Sequence, residues 1–112
     1  MKKLLVLLTL LTATTFVAAH PASDVVLRLE GDTLIVTAIH KVRNPEKHYI
    51  DDIKVAINGE ELLDKEYVSQ TSKEAQSVSI VISKPLSVGD KILVITECNK
   101  FGEKSAELTV EE

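Results

Sequence analysis

The side chains of this sequence that can bind a transition metal are few. The chain of 112 residues contains three histidines, His20, His40 and His48, and a single cysteine, Cys98. Imidazole nitrogen and thiolate sulfur are the borderline-to-soft donors that select a transition metal. Three imidazoles and one thiolate are enough for a coordination shell, so the composition predicts a metal site formed by His20, His40, His48 and Cys98.

Each of these residues also has a purely structural interpretation. Cys98 shares the strand parity of Ile92 and Val94, and a lone cysteine at such a position is often a small buried apolar side chain. His40 alone would be a half-exposed residue at a strand end, and His48 a solvated loop residue. The metal-site interpretation therefore depends on the four residues taken together.

The elements that would position these residues are β-strands. Apolar and polar residues alternate along most of the chain after residue 24, and Asn58-Gly59 is the strongest hairpin signal. Seven strands are predicted, over residues 25–29, 33–40, 49–57, 62–68, 78–82, 92–98 and 106–110. This spacing predicts an all-β fold, an immunoglobulin-like β-sandwich of about seven strands.

The loops between these strands bear on the site. Residues 44–47 read NPEK and predict a turn that can bring His40 and His48 to one end of the sandwich. Gly102 allows a tight backbone path in the loop after Cys98. The acidic pairs at residues 51–52 and 60–61 are interpreted as solvated carboxylates at strand edges.

The first residues have the anatomy of a secretory signal peptide. Lys2 and Lys3 precede an apolar run over residues 4–11, and small residues follow at 17–19. We therefore predict a signal peptide over residues 1–19 and one domain over residues 20–112, exported to the periplasm or the extracellular space. The apolar run is too short to span a bilayer, so no membrane attachment is expected after cleavage.

Charge and cysteine content narrow the function classes. Without Lys2 and Lys3, the 13 basic side chains fall to 11 against 17 acidic ones, a net charge of −6. Such a surface repels phosphate backbones, so no nucleic-acid partner is expected. One cysteine cannot form an internal disulfide, so the core or a metal must stabilise the domain.

Two motifs resemble the iron-binding domain of the desulfoferrodoxin and superoxide reductase family. Residues 46–50 read EKHYI, close to the family's middle motif, and residues 98–102 read CNKFG where the family has Cys-Asn-x-His-Gly. The resemblance implies a sandwich with non-haem iron at one end, held by four imidazoles and one thiolate, with an open position for superoxide. It implies imidazole roles for His20, His40 and His48 and the thiolate role for Cys98.

The chain departs from the family pattern at three places. Phe101 stands where the family has its fourth imidazole, Lys41 replaces a proline, and the family's first-motif lysine is here Ala19. Lys41 and Lys47 are the two candidates for drawing in an anion in place of that lysine. The resemblance thus predicts a divergent superoxide reductase-like oxidoreductase that takes electrons from an external donor protein.

Two other functions fit the same residues. The first is a metal-binding or electron-transfer module without turnover, with copper as the alternative to iron because copper leads the affinity order for nitrogen sites. The second is a plain β-sandwich interaction domain that recruits a partner through its edge strands and needs no metal.

Overall fold

The computed structural model of this protein describes residues 20–111, and within them the chain forms seven β-strands. The strands are β1 (Asp24–Glu30), β2 (Thr33–Ile39), β3 (Ile50–Ile57), β4 (Glu60–Glu66), β5 (Ala75–Val81), β6 (Lys91–Cys98) and β7 (Glu103–Thr109). The predicted signal peptide over residues 1–19 lies outside the described residues. Among residues 20–111, no helix is long and apolar enough to cross a membrane.

The strands form two antiparallel sheets. One has three strands in the order β1-β2-β5, and the other has four in the order β4-β3-β6-β7. The fourth strand pairs with the third, so it belongs to the larger sheet. The prediction of an all-β, immunoglobulin-like sandwich of seven strands is confirmed.

The alternation of apolar and polar residues places the core between the two sheets. In β2, Leu34, Val36 and Ala38 are fully buried, while Ile35 and Ile39 are only partly buried on the other face. Burial of such an aliphatic side chain stabilises the fold by about 1.5–3 kcal/mol. The same parity carries past the end of β2, so the next inward position is residue 40.

Several strand boundaries differ from the prediction, and two of them differ for identifiable reasons. Asn58 and Gly59 both have positive φ, 52° and 86°, as a two-residue hairpin turn requires, so β4 resumes at Glu60 rather than at residue 62. β5 begins at Ala75 rather than at residue 78. Its second residue, Gln76, is buried because its side-chain amide bonds to three backbone groups.

Asp52 does not have the solvated environment predicted for it at a strand edge. β3 lies between β4 and β6, and Asp52 pairs with Glu66 on one side and Glu97 on the other. Burial, a hydrogen bond to Asp64 and the negative charges of Asp64 and Glu97 raise the pKa of Asp52 to about 7. The outer face of the four-stranded sheet therefore disfavours its ionised form.

We expect Asp52→Asn to raise the free energy of unfolding by about 1 kcal/mol at about pH 8 and to have little effect at about pH 4. The folded chain holds the Asp52 proton to a higher pH than the unfolded chain. Stability therefore falls as the pH rises from about 4 to 7 and returns as it is lowered. The magnitude is discounted because this side chain is only partly buried, so solvent screens the neighbouring charges.

Urea unfolding at the two pH values measures the effect of Asp52→Asn. Glu61→Gln, which removes an exposed carboxylate from β4, is the control. Equal changes in the two variants at both pH values would contradict the role given to Asp52.

Candidate metal centre

The registers of the two sheets bring the predicted metal ligands to one end of the sandwich. In the smaller sheet Asp24 pairs with Ile39, so the segment before β1 lies beside the residue after β2. In the larger sheet Ile50 pairs with Cys98, so the loop before β3 lies beside the end of β6. The residues that meet at this end are His20, His40, His48 and Cys98.

The three imidazoles form a compact cluster, called here the histidine cluster (His20, His40 and His48). Their ring centroids are 5.0 Å apart for His20 and His40, 4.7 Å for His20 and His48, and 4.9 Å for His40 and His48. Each ring offers one nitrogen, and these nitrogens all lie within 4.8 Å of one another. The cluster could hold a metal ion.

Cys98 lies against the histidine cluster. Its Sγ is 3.2 Å from Nε2 of His48, and the same Nε2 is 3.1 Å from Nδ1 of His20. Two nitrogens bound to one ion at about 2.1 Å lie ~3.0–3.4 Å apart, and a nitrogen and a sulfur ~3.1–3.6 Å, for angles of about 90–109°. Both observed distances fall in these ranges, so each of these two pairs of atoms is close enough to share a cation.

His40 is the most buried member of the cluster, with 1 % of its surface exposed. Its Nδ1 lies 2.8 Å from Oε1 of Gln70, and its Nε2 lies 2.9 Å from the carbonyl oxygen of His20. The interpretation of His40 as a half-exposed strand-end residue is wrong, because the inward parity of β2 extends to it.

The predicted turn over residues 44–47 holds His48 in place. The backbone N–H groups of Lys47 and His48 donate to the carbonyl oxygen of Asn44 at 3.0 and 2.9 Å. The side chain of Asn44 also accepts from the backbone N–H of Glu46 at 3.0 Å. His48 is therefore carried by a turn with its own hydrogen bonds rather than by a free loop.

Asn99 attaches this turn to the end of β6. Its Oδ1 accepts from the backbone N–H of Tyr49, and its Nδ2 donates to the carbonyl oxygen of Lys47, each at 3.0 Å. These two partners flank His48 in sequence. The residue that follows Cys98 thus fixes His48 from both sides.

Electrostatics favour the neutral form of His48. Burial lowers its pKa below the ordinary value, and electrostatic repulsion from His40, His20 and Lys100 lowers it further. Metals bind neutral imidazole, so His48 is in its ligating form at neutral pH.

Cys98 is buried, as its strand parity predicts, with 6 % of its surface exposed. Burial raises the pKa of its thiol, while the backbone N–H of Lys100, 3.3 Å from Sγ, acts in the opposite direction. A bound cation deprotonates a coordinating thiol outright. The thiolate would therefore form together with metal binding.

The solvent side of the cluster is an open hollow that is bordered by His20 and His48. Lys41 and Arg43 also line this hollow, so cationic side chains surround the approach to the cluster. Of the two lysines predicted as candidates for drawing in an anion, Lys41 is the one that lines the hollow.

Phe101, which stands where the family that the motifs resemble has a histidine, contributes through its backbone. Its ring is 64 % exposed and has no donor atom, and its φ is 110°. Its carbonyl oxygen accepts a hydrogen bond of 3.1 Å from the backbone N–H of His20. The loop after β6 therefore holds the segment that carries His20.

Gly102 lets Pro21 lie directly against this loop. Its φ is +109°, and a Cβ atom built on it would lie 2.7 Å from Cδ of Pro21. Glycine is required here both by the backbone conformation and by the close neighbour.

We expect Gly102→Ala to lower the free energy of unfolding by about 2 kcal/mol and to weaken metal binding, because His20 would move with Pro21. Gly89→Ala is the matched control, since Gly89 has a similar φ of +97° with nothing within 4 Å of a built Cβ. Thermal melts and metal titration of both variants separate backbone strain from displacement of His20. Equal metal affinity in the two variants would show that the contact with Pro21 does not position the site.

Two buried amides behind the cluster, Gln70 and Gln76, were not predicted from the sequence. Gln76 shares the parity of Val78 and Ile80, and a polar residue at an inward position is a signal that could have found it. Gln70 lies in the loop between β4 and β5, where no periodicity marks it.

Comparison with known protein families, with characterised proteins and with solved structures gave no significant match.

Proposed function

We propose that this protein binds one transition-metal ion through His20, His40, His48 and Cys98, and that the ion is iron, as in the superoxide reductase family that its motifs resemble. The observation that carries the proposal is the convergence of the chain's scarce imidazole and thiol groups. His48 Nε2 lies 3.1 Å from one imidazole nitrogen and 3.2 Å from the thiol sulfur.

The residues around the ion would bind it from different sides or orient its ligands. His40 binds from the core side, His48 and Cys98 bind from the larger sheet, and His20 completes the set from the solvent side. Asn99 orients His48 relative to Cys98. Because His20 is exposed, the ion would remain open to a small molecule from solvent.

Superoxide is the substrate that this arrangement favours. It is a small anion, and the cationic side chains of Lys41 and Arg43 would raise its concentration in the hollow beside the cluster. Bound ferrous iron would supply the single electron that, with two protons, converts superoxide to hydrogen peroxide. An external electron-donor protein would return the ferric ion to the ferrous state, outside the cytoplasm if the predicted export holds.

A second candidate is a copper-binding or electron-transfer module without turnover. Phe101 offers no fourth imidazole, and three nitrogens with one thiolate also suit copper. A closed site of this kind would bind a metal and leave superoxide unchanged.

Metal analysis, an optical spectrum and a superoxide assay on the mature protein test these functions. Stoichiometric iron and superoxide consumption that depends on iron support the reductase. Tighter binding of copper than iron without superoxide consumption supports the electron-transfer module. Failure to bind either metal, with unchanged stability after chelation, would reject a metal function and leave a β-sandwich interaction domain.

A further inference from the structure

We propose that Gln70 selects Nε2 of His40 as its metal-binding nitrogen, by holding the proton of the imidazole on Nδ1. This inference rests on the proposed metal site and assigns a positioning role to a residue that has no donor to the metal itself.

Backbone groups decide the orientation of the Gln70 side chain. Its Nε2 donates to the carbonyl oxygens of His40 and Ser72 at 2.7 and 2.9 Å, and its Oε1 accepts from the backbone N–H of Ile50 at 3.2 Å. A flipped amide would place oxygen against two carbonyls and nitrogen against an N–H. The orientation is therefore independent of the His40 ring.

The same Oε1 faces the ring of His40. It lies 2.8 Å from Nδ1, and an amide oxygen can only accept a hydrogen bond. Nδ1 must therefore carry a proton, and in the neutral ring the lone pair is on Nε2. A hydrogen bond at one ring nitrogen thus determines which nitrogen can bind a metal.

The neighbour of this lone pair is a hydrogen-bond acceptor rather than a donor. His40 has only 1 % of its surface exposed, and its Nε2 lies 2.9 Å from the carbonyl oxygen of His20. In this tautomer two electron-rich atoms face each other, and a buried acceptor without a donor is costly. A cation bound at Nε2 would satisfy this acceptor. The ring centroids of His20 and His48 lie 5.0 and 4.9 Å from that of His40, so these rings are close enough to share the cation.

Gln70 also ties His40 to the turn that carries His48. Its backbone N–H donates to the carbonyl oxygen of Pro45, inside that turn, at 2.9 Å. One residue, 6 % exposed, therefore contacts the end of β2, the start of β3 and the turn before it. This makes Gln70 a hydrogen-bond partner that fixes both the ring state and the position of a ligand.

The test compares three variants with the wild-type chain. Gln70→Leu removes the acceptor at Nδ1, and Gln70→Glu keeps an acceptor there while losing the two N–H donors. Gln76→Leu is the matched control, because Gln76 is a second buried amide bonded to Ile50, Ser69 and Thr71. Imidazole ¹⁵N NMR of the metal-free proteins at about pH 8.5, where free imidazoles are neutral, reports the tautomer of His40.

We expect wild type, Gln70→Glu and Gln76→Leu to hold the His40 proton on Nδ1, and Gln70→Leu to show a mixture of tautomers. Titration with Co²⁺ as the probe should give about 10–100-fold weaker binding in Gln70→Leu, with Gln76→Leu close to wild type. A wild-type His40 protonated on Nε2, or a folded Gln70→Leu that keeps both tautomer and affinity, would overturn the inference.

The experiment separates this inference from the proposed function. If wild type binds neither Co²⁺ nor iron nor copper, the metal function fails, whereas the tautomer of the metal-free protein still decides whether Gln70 holds the proton. If Gln70→Leu does not fold, the tautomers of wild type and Gln70→Glu decide the same question: a proton on Nδ1 in both supports the inference, and a proton on Nε2 in either overturns it.

Discussion

Replacement of His40 by alanine should abolish measurable metal binding and lower the free energy of unfolding of the metal-free protein by about 3 kcal/mol. The loss of stability has two causes. Removal of a buried ring leaves a cavity, and the acceptor Oε1 of Gln70 loses one of its two donors. The loss of binding follows because His40 supplies the only nitrogen on the core side of the cluster.

His20→Ala is the control that separates these two effects. His20 is exposed, so its removal should weaken metal binding while changing the stability of the metal-free protein by less than about 0.5 kcal/mol. Urea unfolding without metal and isothermal titration with Fe²⁺ under anaerobic conditions measure both quantities. Wild-type affinity in His40→Ala would show that the buried ring has a structural role alone.

Metal binding should also stabilise the wild-type fold, because an ion that binds the folded state and not the unfolded chain raises its stability by mass action. The same addition should leave the melting temperature of His40→Ala unchanged. The melting temperature reports metal binding in this comparison, so no assay of activity is required.

The second large effect is expected for Cys98→Ser. Cys98 supplies the only anionic and soft donor of the proposed set. Its loss should weaken iron binding by at least about 100-fold, which is the upper end of the loss seen when a residue that only hydrogen-bonds to a metal ligand is removed. Ferric iron bound by a thiolate absorbs visible light through sulfur-to-iron charge transfer, and the variant should lose this band. An optical spectrum of the oxidised, iron-loaded proteins makes the comparison.

Thr96→Val is the matched control for Cys98→Ser. Thr96 is a fully buried residue two positions earlier on β6, and its Oγ1 donates to the carbonyl oxygen of Lys104. Its replacement should lower stability and leave the visible band in place. A band that survives in Cys98→Ser would mean that the thiol is a buried side chain beside the site rather than a ligand.

The periodicity of the sequence determined the strands and their inward faces. Leu34, Val36 and Ala38 alternate with partly exposed neighbours, and pleating alone sends such residues to one side of a sheet. The turn at Asn58 and Gly59 was equally predictable, because few residue pairs adopt two successive positive φ angles. These features depend on neighbours in the chain, which a single sequence displays.

The ligand types were also predictable from the sequence, because imidazole and thiol groups are so rare in it. What periodicity left open was the environment of each ligand. His40 could have been half-exposed, and only the packing of the second sheet over β2 makes it a buried ring. Likewise Asp52 became half-buried because β4 and β6 flank it.

The partners that orient the ligands were decided by tertiary structure alone. Gln70 meets His40 across 30 positions of sequence, and Asn99 meets Lys47 across 52. No local pattern marks such pairs, since their contact depends on sheet register and on how two loops close at one end of the sandwich. The sequence thus determined which groups could bind a metal. The tertiary structure decided that they meet and which partner each nitrogen of His40 has, because long-range hydrogen bonds exist only once the sheets are paired.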